Sequence, residues 1–336
     1  MAVVWEPVPR HPDSLKAVAL EIQAQDDWLI VTHERPDGDA IGSSLAMTHV
    51  LTLLGKKWTF LVAEPMPKRF SYLPLFSVAT IAEAKAPERT FRHVIALDCA
   101  DSQRYQQVAH YLDADAQVVN IDHHRTNPRY GIAAMVDDQA AATCELVFHV
   151  AHALDVPITK ELATCLYTGI LTDTGGFAQP NTTRAVHQIA AELLASGVQP
   201  YDIAEPAHES RTWEQMHLLQ MALTNLTVSS DGKYAAIYVT RGMLEGAGAD
   251  EDDVEGLVGF ARSIDTVEVG MLFRELADGR VKVSLRSKHW VDVSKIAQLF
   301  GGGGHARAAG CMLGTNLGDA IDSVVEQVEI VLAEGR

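Results

Sequence analysis

Basic residues are scarce in this sequence relative to acidic ones. It contains 27 lysines and arginines against 44 aspartates and glutamates, which gives a formal charge of −17 over 336 residues. A protein that clamps long duplexes needs a basic surface, because the nucleic-acid backbone is densely negative. We therefore expect small or short ligands, and any phosphate must be bound by local cations or by metal.

Cysteines and long apolar segments are also rare. The first residues, MAVVWEPVPR, lack the basic and apolar regions of a signal peptide. No apolar run approaches the ~18 residues that cross a bilayer. The four cysteines include no CxxC pair and are typical of buried, reduced thiols: Cys99, Cys144, Cys165 and Cys311. These absences predict a cytoplasmic protein that does not associate with membranes.

Short β-rich runs alternate with helical periodicities through the first 200 residues. This alternation predicts an α/β domain with a mostly parallel sheet, covered on both faces. The predicted strands are 28–33, 57–63, 93–98 and 116–122. The predicted helices are 38–54, 142–155, 159–172 and 183–196.

The pattern changes near residue 198, where prolines interrupt it. Strands are predicted at 233–239, 267–273 and 281–287, with a hairpin turn at Asp278-Gly279 between the last two, and helices at 292–299 and 317–333. The length also favours two domains. We expect a catalytic domain (1–197), a linker and connecting helix (198–226), and a smaller α+β domain (227–336), with a cleft between the two domains.

Acids and histidines cluster where predicted strands end. Because the carboxyl ends of parallel strands share one edge of a sheet, three strands would bring these side chains together: His33, Asp37, Asp39, Asp98, Asp122, His123 and His124. A helical run, LYTGIL, leads to a further acid, Asp173. An isolated aspartate is often a helix cap and an isolated histidine often belongs to the core, but four segments would each need such an explanation.

So many carboxylates cannot lie together without a counter-charge, because neighbouring like charges raise each other's pKa. A divalent cation resolves this conflict. Oxygen and imidazole ligands suit Mn²⁺ or Mg²⁺ and tolerate Co²⁺ or Zn²⁺. The number of acids suggests two ions about 3.5–4 Å apart, bridged by one carboxylate, as in hydrolytic two-metal sites.

Five sequence motifs resemble those of one enzyme family. HERPDGDAIGSSLA, ALDCAD, NIDHHRTN and LTDTGGF resemble, in order, the four motifs of the DHH phosphoesterase superfamily. GGGGHARAAG, preceded by SLRSK, resembles the signature of the DHH-associated domain of the first type. The two-domain layout is similar to the NrnA-type branch, nanoRNases that also remove phosphate from 3′-phosphoadenosine 5′-phosphate (pAp).

The resemblance implies roles at matching positions. One Mn²⁺ would be bound by His33, Asp37 and Asp98, and the other by Asp39, Asp98, His123 and Asp173. Mg²⁺ or Co²⁺ are expected substitutes. Asp122 would orient the ligands, and His124 would contact the scissile phosphate and protonate the leaving oxygen. The substrate's other phosphate or its nucleotide would be bound by Arg286, Ser287, Gly302, Gly303, Gly304 and His305.

The implied activity is hydrolysis of short RNA or DNA oligonucleotides to mononucleotides, and of pAp to AMP. An alternative is a phosphodiesterase for cyclic or linear dinucleotides, such as c-di-AMP or pApA, and the same motifs serve both. A manganese pyrophosphatase is disfavoured by the GGGGH sequence. A non-catalytic nucleotide-binding regulator would be favoured by a missing metal ligand, and none is missing. A homodimer is left open.

Overall fold

The computed structural model describes residues 9–85, 87–254 and 256–335. The chain divides into two compact units, one up to Ser210 and a smaller one from Arg211. The first unit is α/β and is built on a six-stranded parallel sheet, and the second is α+β with its own sheet. The predicted fold class of the two domains is therefore confirmed.

The sheet of the first unit has the strand order β3-β2-β1-β4-β5-β6, and every neighbouring pair is parallel. Its strands are β1 (Trp28–Val31), β2 (Trp58–Val62), β3 (Thr80–Ile81), β4 (Phe91–Leu97), β5 (Leu112–Asp122) and β6 (Ala133–Val136). The chain builds outward from β1 to one side and then continues on the other side with β4. The boundary between β1 and β4 is thus a topological switch point, where open α/β sheets form a ligand crevice.

The 3₁₀ segment 102–111 packs on one face of this sheet, and α-helices cover the other face. They are α1 (Pro12–Ala24), α2 (Gly38–Leu53), α3 (Thr143–Ala153), α4 (Lys160–Asp173), α5 (Arg184–Ala195) and α6 (Pro200–Ala204). Short 3₁₀ segments span 68–70, 76–78 and 102–111, and a π turn spans 205–209. Thr183 caps α5 by accepting a hydrogen bond from Val186 N.

Three helices meet at close range beside the sheet edge. A Cβ added at Gly169 of α4 would lie 2.6 Å from Asp39 Oδ1 and closer still to Cys144 Sγ. Glycine therefore allows α4 to approach the first turns of α2 and α3. This packing brings Asp39, which sequence analysis predicts as a metal ligand, against the start of α3.

The second unit has the strand order β11-β12-β10-β9-β8-β7. Its strands are β7 (Thr227–Val228), β8 (Tyr234–Val239), β9 (Val269–Glu275), β10 (Val281–Ser287), β11 (Gly303–His305) and β12 (Ala308–Leu313). Only β8 and β9 are parallel among the neighbours described. The predicted hairpin at Asp278-Gly279 is present between β9 and β10, and Gly279 has φ +82°.

The helices of the second unit are α7 (Trp213–Thr224), α8 (Arg241–Ala247), α9 (Leu257–Ser263), α10 (Val293–Leu299) and α11 (Leu317–Glu334), with a 3₁₀ turn at 252–254. Helix α7 lies in the segment predicted as linker and connecting helix, and its buried Leu218 and Ala222 pack with Ala235 and Ile237 of β8. The predicted domain limits, 1–197 and 227–336, stay a prediction. None of the helices in the described ranges is long and apolar enough to cross a membrane.

Candidate metal centre

The predicted acids and histidines meet at the carboxyl edge of the first sheet, on both sides of the switch point. His33 follows β1, Asp98 follows β4, and Asp122 ends β5. Asp98 has a left-handed backbone, with φ +56°, and its N–H donates to Ile121 O on the neighbouring strand. Such a conformation is costly for most residues but better tolerated by aspartate and asparagine.

The two acids of the HERPDGD motif are fixed by helix N-termini. Asp37 caps α2, and its Oδ1 accepts hydrogen bonds from Asp39 N and Ala40 N at 3.1 Å each. Asp39 is fully buried, and its carboxylate accepts from Thr143 N at 2.5 Å and Cys144 N at 2.9 Å at the start of α3. N–H groups at a helix start stabilise carboxylates, so both side chains are oriented without metal.

One potential ligand group consists of His33, Asp37 and Asp98, whose ligand atoms lie within 4.8 Å of one another. His33 Nε2 is 3.4 Å from Asp98 Oδ2 and 4.0 Å from Asp37 Oδ1. His33 Nδ1 donates to Glu34 O at 2.7 Å. The lone pair of neutral Nε2 therefore faces two carboxylates, and this arrangement is favourable only with a cation or a proton between them.

A second group consists of Asp39, His123 and Asp173. His123 Nε2 is 3.3 Å from Asp173 Oδ2, 3.6 Å from Asp98 Oδ1 and 3.9 Å from Asp39 Oδ2. His123 Nδ1 donates to Ala140 O at 3.3 Å, which again leaves Nε2 for the cluster. Asp98 thus directs Oδ2 towards His33 and Oδ1 towards His123, and it borders both groups.

The electrostatics of the cluster fit a divalent cation. Burial and the charge of Asp98 raise the pKa of Asp39 to about 7. Burial and the charge of Asp39 raise the pKa of Asp173 well above its usual value. Burial acts in the same direction on Asp98, but the adjacent imidazole of His33 and the charges of His123 and His124 outweigh it and lower the pKa of Asp98. Oxygen and imidazole donors of this kind fit hard or borderline divalent metals.

His124 and Asp122 form a hydrogen-bonded pair at the cluster, and His124 also forms a third potential ligand group with Asp98 and His123, its Nδ1 lying 3.4 Å from Asp98 Oδ1. His124 Nδ1 donates to Asp122 Oδ1 at 2.8 Å, and this hydrogen bond is the main cause that raises the pKa of His124 to about 9. Asp122 is buried, and its Oδ2 accepts from Asn127 Nδ2 at 2.6 Å. His124 is 30% exposed, so its remaining nitrogen is available to a ligand.

Sequence analysis missed two residues that shape this site. Thr143 donates its hydroxyl to Asp98 Oδ1 at 3.0 Å, besides the backbone bond from its N–H to Asp39. Asn127 links Asp122 to Asn120, whose Oδ1 accepts from the same Asn127 amide at 2.8 Å. Asn127 stands within the NIDHHRTN motif, which is a usable signal. Thr143 lies 45 residues from Asp98 in sequence, and only the fold reveals their contact.

The predicted substrate-binding residues of the second unit lie on β10 and at β11, the two strands on either side of β12. Arg286 pairs with Ala308, and Ala308 pairs with His305, so the two larger side chains flank one small residue on the same sheet face. Gly304 has φ +139°, and a Cβ there would lie 2.5 Å from Ala308 O. A Cβ at Gly302 would lie 2.6 Å from Cys311 Cβ, whereas Gly303 has open space around it.

Ser287 has a different position from its neighbour Arg286. It is 1% exposed, and its hydroxyl donates to Val291 O at 2.6 Å and Ala306 O at 3.4 Å. Consecutive residues in a strand point to opposite faces. Ser287 therefore bonds the loop that follows β10, on the face opposite to Arg286.

A parallel sheet that gathers carboxylates and imidazoles around one shared aspartate is the framework of a metal-dependent hydrolase. Residues 27–170 match the family model described as "DHH family, N-terminal domain", and residues 231–334 match that of the "DHHA1 domain". The chain belongs to the DHH phosphoesterase family, as its motifs indicate.

Relatives extend over nearly the whole chain. A Thermus thermophilus protein named bifunctional oligoribonuclease and PAP phosphatase NrnA is 38% identical, covering 96% of this chain and 95% of its own. A Bacillus subtilis protein of the same name is 26% identical, covering 93% and 97%. The crystal structure of an exopolyphosphatase-related protein from Bacteroides fragilis superposes with a TM-score of 0.86 at 27% identity, covering 94% and 95%.

Proposed function

We propose that this protein is a Mn²⁺-dependent oligoribonuclease that hydrolyses short oligonucleotides to mononucleotides and removes phosphate from pAp to give AMP. The observation that carries the proposal is the position of Asp98, whose Oδ2 faces His33 and whose Oδ1 faces His123 and His124. The name of the Thermus thermophilus relative supports the substrate class. A cytoplasmic location is part of the same proposal.

Two metal ions would be bound by residues that are already close together. His33, Asp37 and Asp98 would hold one ion, and Asp39, Asp98, His123 and Asp173 would hold the other. Such ions, when bound, neutralise charge on phosphoryl oxygens and lower the pKa of water that attacks phosphorus. Burial and neighbouring carboxylates raise the pKa of Asp37, Asp39 and Asp173, and bound cations would offset this effect.

His124 would act on the substrate directly. Its Nδ1 is engaged by Asp122, so the ring is fixed and Nε2 can donate a hydrogen bond to a phosphoryl oxygen or a proton to the leaving oxygen. Asn127 would keep Asp122 in position by bonding its other oxygen. Asp122 is thereby a positioning residue that acts through His124.

The second unit would bind the remaining phosphate or the nucleotide. Arg286 offers a guanidinium fork for an anion, and the loop Gly302–His305 offers N–H groups that an anion can approach closely. Ser287 is buried, so we assign it to the support of the loop. Binding of one extra phosphate at a defined place favours short substrates over long ones.

The test is a hydrolysis panel with purified protein and Mn²⁺, with and without chelator. The substrates are pAp, the linear dinucleotide pApA, an RNA 5-mer, an RNA 24-mer and c-di-AMP. We expect rapid hydrolysis of the first three, slow hydrolysis of the 24-mer, and no activity with chelator. Preferred cleavage of c-di-AMP would support the second-messenger phosphodiesterase instead. Inactivity on every substrate with Mn²⁺ present would contradict a phosphoesterase role.

A further inference from the structure

A buried carboxylate holds the loop between β10 and α10, residues 288–292. Glu268, which precedes β9, is 6% exposed. Its Oε1 accepts hydrogen bonds from His289 N at 3.0 Å, Trp290 N at 2.7 Å and Val291 N at 2.9 Å, and its Oε2 accepts from His289 N at 3.1 Å. Three successive N–H groups directed at one point form an arrangement that proteins use to bind anions. Here the anion is a side chain of the protein itself.

Glu268 remains ionised in this position. Burial favours the neutral acid, but the hydrogen bonds from Val291, Trp290 and His289 outweigh burial and lower the pKa of Glu268. The carboxylate is therefore a fixed negative charge under the loop. A neutral amide at this position would lack the negative charge, and its NH₂ group would face His289 N in place of Oε2.

A guanidinium holds the same loop from its other side. Arg307 Nη1 donates to Val291 O at 2.6 Å and to Ser287 Oγ at 3.4 Å. Val291 is thus bonded at its N–H by Glu268 and at its carbonyl by Arg307. Val291 is buried, so its N–H and carbonyl groups both need partners within the protein.

Arg307 also connects the loop to the strand that carries His305. Ala306 and Arg307 are the two residues of the turn between β11 and β12. Their backbones bond the neighbouring segment, because Ser287 N donates to Arg307 O at 3.1 Å and Val293 N donates to Ala306 O at 2.9 Å. Movement of the loop would therefore move the hairpin that bears His305 relative to the strand that bears Arg286.

We propose that Glu268 and Arg307 are positioning residues that fix the spacing between Arg286 and the Gly302–His305 loop, and thereby set the affinity for the second phosphate of a nucleotide substrate. This inference rests on the proposed function. Neither residue belongs to the glycine-rich loop itself, and both act through residues 288–292. The ligand chemistry is an anion with two phosphates separated by a nucleoside, of which pAp is the smallest probe.

The experiment compares Glu268→Gln, Arg307→Gln and the double variant with the wild type. The matched controls are Glu326→Gln on α11 and Arg241→Gln on α8, which change the same residue types at exposed positions. Steady-state kinetics are measured with pAp and with bis-p-nitrophenyl phosphate, which has no second phosphate. Calorimetry with pAp and Ca²⁺ gives affinity independently of turnover, and circular dichroism checks folding.

We expect each single variant to raise KM and Kd for pAp about tenfold, because bonds to charged groups have effects of this size. The kcat for pAp and the kinetics with bis-p-nitrophenyl phosphate should stay within about twofold. The KM and Kd of the double variant for pAp should be no higher than those of Glu268→Gln, since both residues act on one loop. The controls should behave as the wild type.

Three results would overturn the inference. The first is a wild-type KM for pAp in both single variants, and the second is an equal loss of kcat/KM with pAp and with bis-p-nitrophenyl phosphate. The third is a double variant whose increase in KM for pAp is the product of the two single increases. If Glu268→Gln does not fold, the inference is tested with Arg307→Gln alone, and a wild-type KM of that variant for pAp would contradict it. If the wild type neither binds nor hydrolyses pAp, the proposed function itself fails. The two failures are therefore distinguishable.

Discussion

Asp98 is the residue on which the proposed chemistry depends most, because its two oxygens face different imidazoles. Asp98→Ala should reduce kcat for pApA to less than a tenth of the wild-type rate, and calorimetry should show fewer bound Mn²⁺ ions. Asp98→Asn, which suits the left-handed backbone, should be equally inactive, so that strain is not the cause. The exposed Asp138→Ala is the control. A kcat for pApA above a tenth of the wild-type value in either Asp98 variant would contradict the role of Asp98 as a ligand shared by two metal ions.

Thr143 tests whether hydrogen bonds around the ligands affect metal binding. Thr143→Val keeps the shape of the side chain but removes the hydroxyl that donates to Asp98 Oδ1. We expect roughly tenfold weaker Mn²⁺ binding, since partners of metal ligands have effects of 10–100-fold. Thr143→Ser keeps the hydroxyl and should restore most of the affinity. Equal affinities in the Val and Ser variants would show that the hydroxyl is irrelevant to the metal.

The predicted site residues show what sequence reveals at this scale. His33, Asp98 and His123 were predictable because the ends of parallel strands share an edge, and this rule needs only strand assignments. Thr143 was not, because nothing local marks a threonine that contacts a distant carboxylate. The buried position of Ser287 follows from the alternation of faces along β10, so the sequence did contain that information.

At the scale of elements, strand β10 and the β11–β12 hairpin should contribute to binding rather than to the chemical step. Arg286→Ala and His305→Ala should raise KM for pAp more than they lower kcat, whereas His124→Ala should mainly lower kcat. The loss for Arg286→Ala should be about ten- to hundredfold in kcat/KM. It should nearly vanish with bis-p-nitrophenyl phosphate. Equal damage with both substrates would assign Arg286 to catalysis or folding.

The packing of α4 against α2 and α3 gives a prediction about stability. Gly169→Ala would place a methyl group within 2.6 Å of Asp39 Oδ1 and should lower the free energy of unfolding by about 1–3 kcal/mol, as overpacking does. Gly259→Ala in α9 meets nothing within 4 Å and should be neutral or stabilising by up to ~1 kcal/mol. Denaturant unfolding of both variants checks this. Similar free energies of unfolding for the two variants would contradict the close approach of α4 to α2 and α3.

Several elements with strong patterns were predicted, but α1 (Pro12–Ala24) and several weakly patterned elements were not. Strand 281–287 agrees with β10 (Val281–Ser287), and helix 38–54 nearly agrees with α2 (Gly38–Leu53). The sequence analysis missed β12, AAGCML, because alanine and glycine have low strand propensity and pairing on both sides determines its conformation. It missed α8, RGMLEGA, which is short and contains two glycines but is capped by Thr240.

At the scale of the molecule, each unit has its own sheet and core, so the first should fold without the second. A protein ending at Ser210 keeps all the candidate metal ligands and lacks Arg286 and the glycine loop. We expect it to bind Mn²⁺ with nearly wild-type affinity and to hydrolyse pApA at less than a tenth of the wild-type rate. Calorimetry checks the Mn²⁺ affinity of the fragment, and a hydrolysis assay checks its rate with pApA. Wild-type hydrolysis of pApA by this folded fragment would contradict a substrate role for the second unit.

The chain passes from one unit to the other only once, between Ser210 and Arg211. The candidate metal ligands and the proposed recognition residues therefore lie in two separate, continuous stretches of the sequence, and one crossover would exchange either of them whole. A chimera that joins this first unit to the second unit of a relative would inherit a complete set of ligands together with a new choice of substrate.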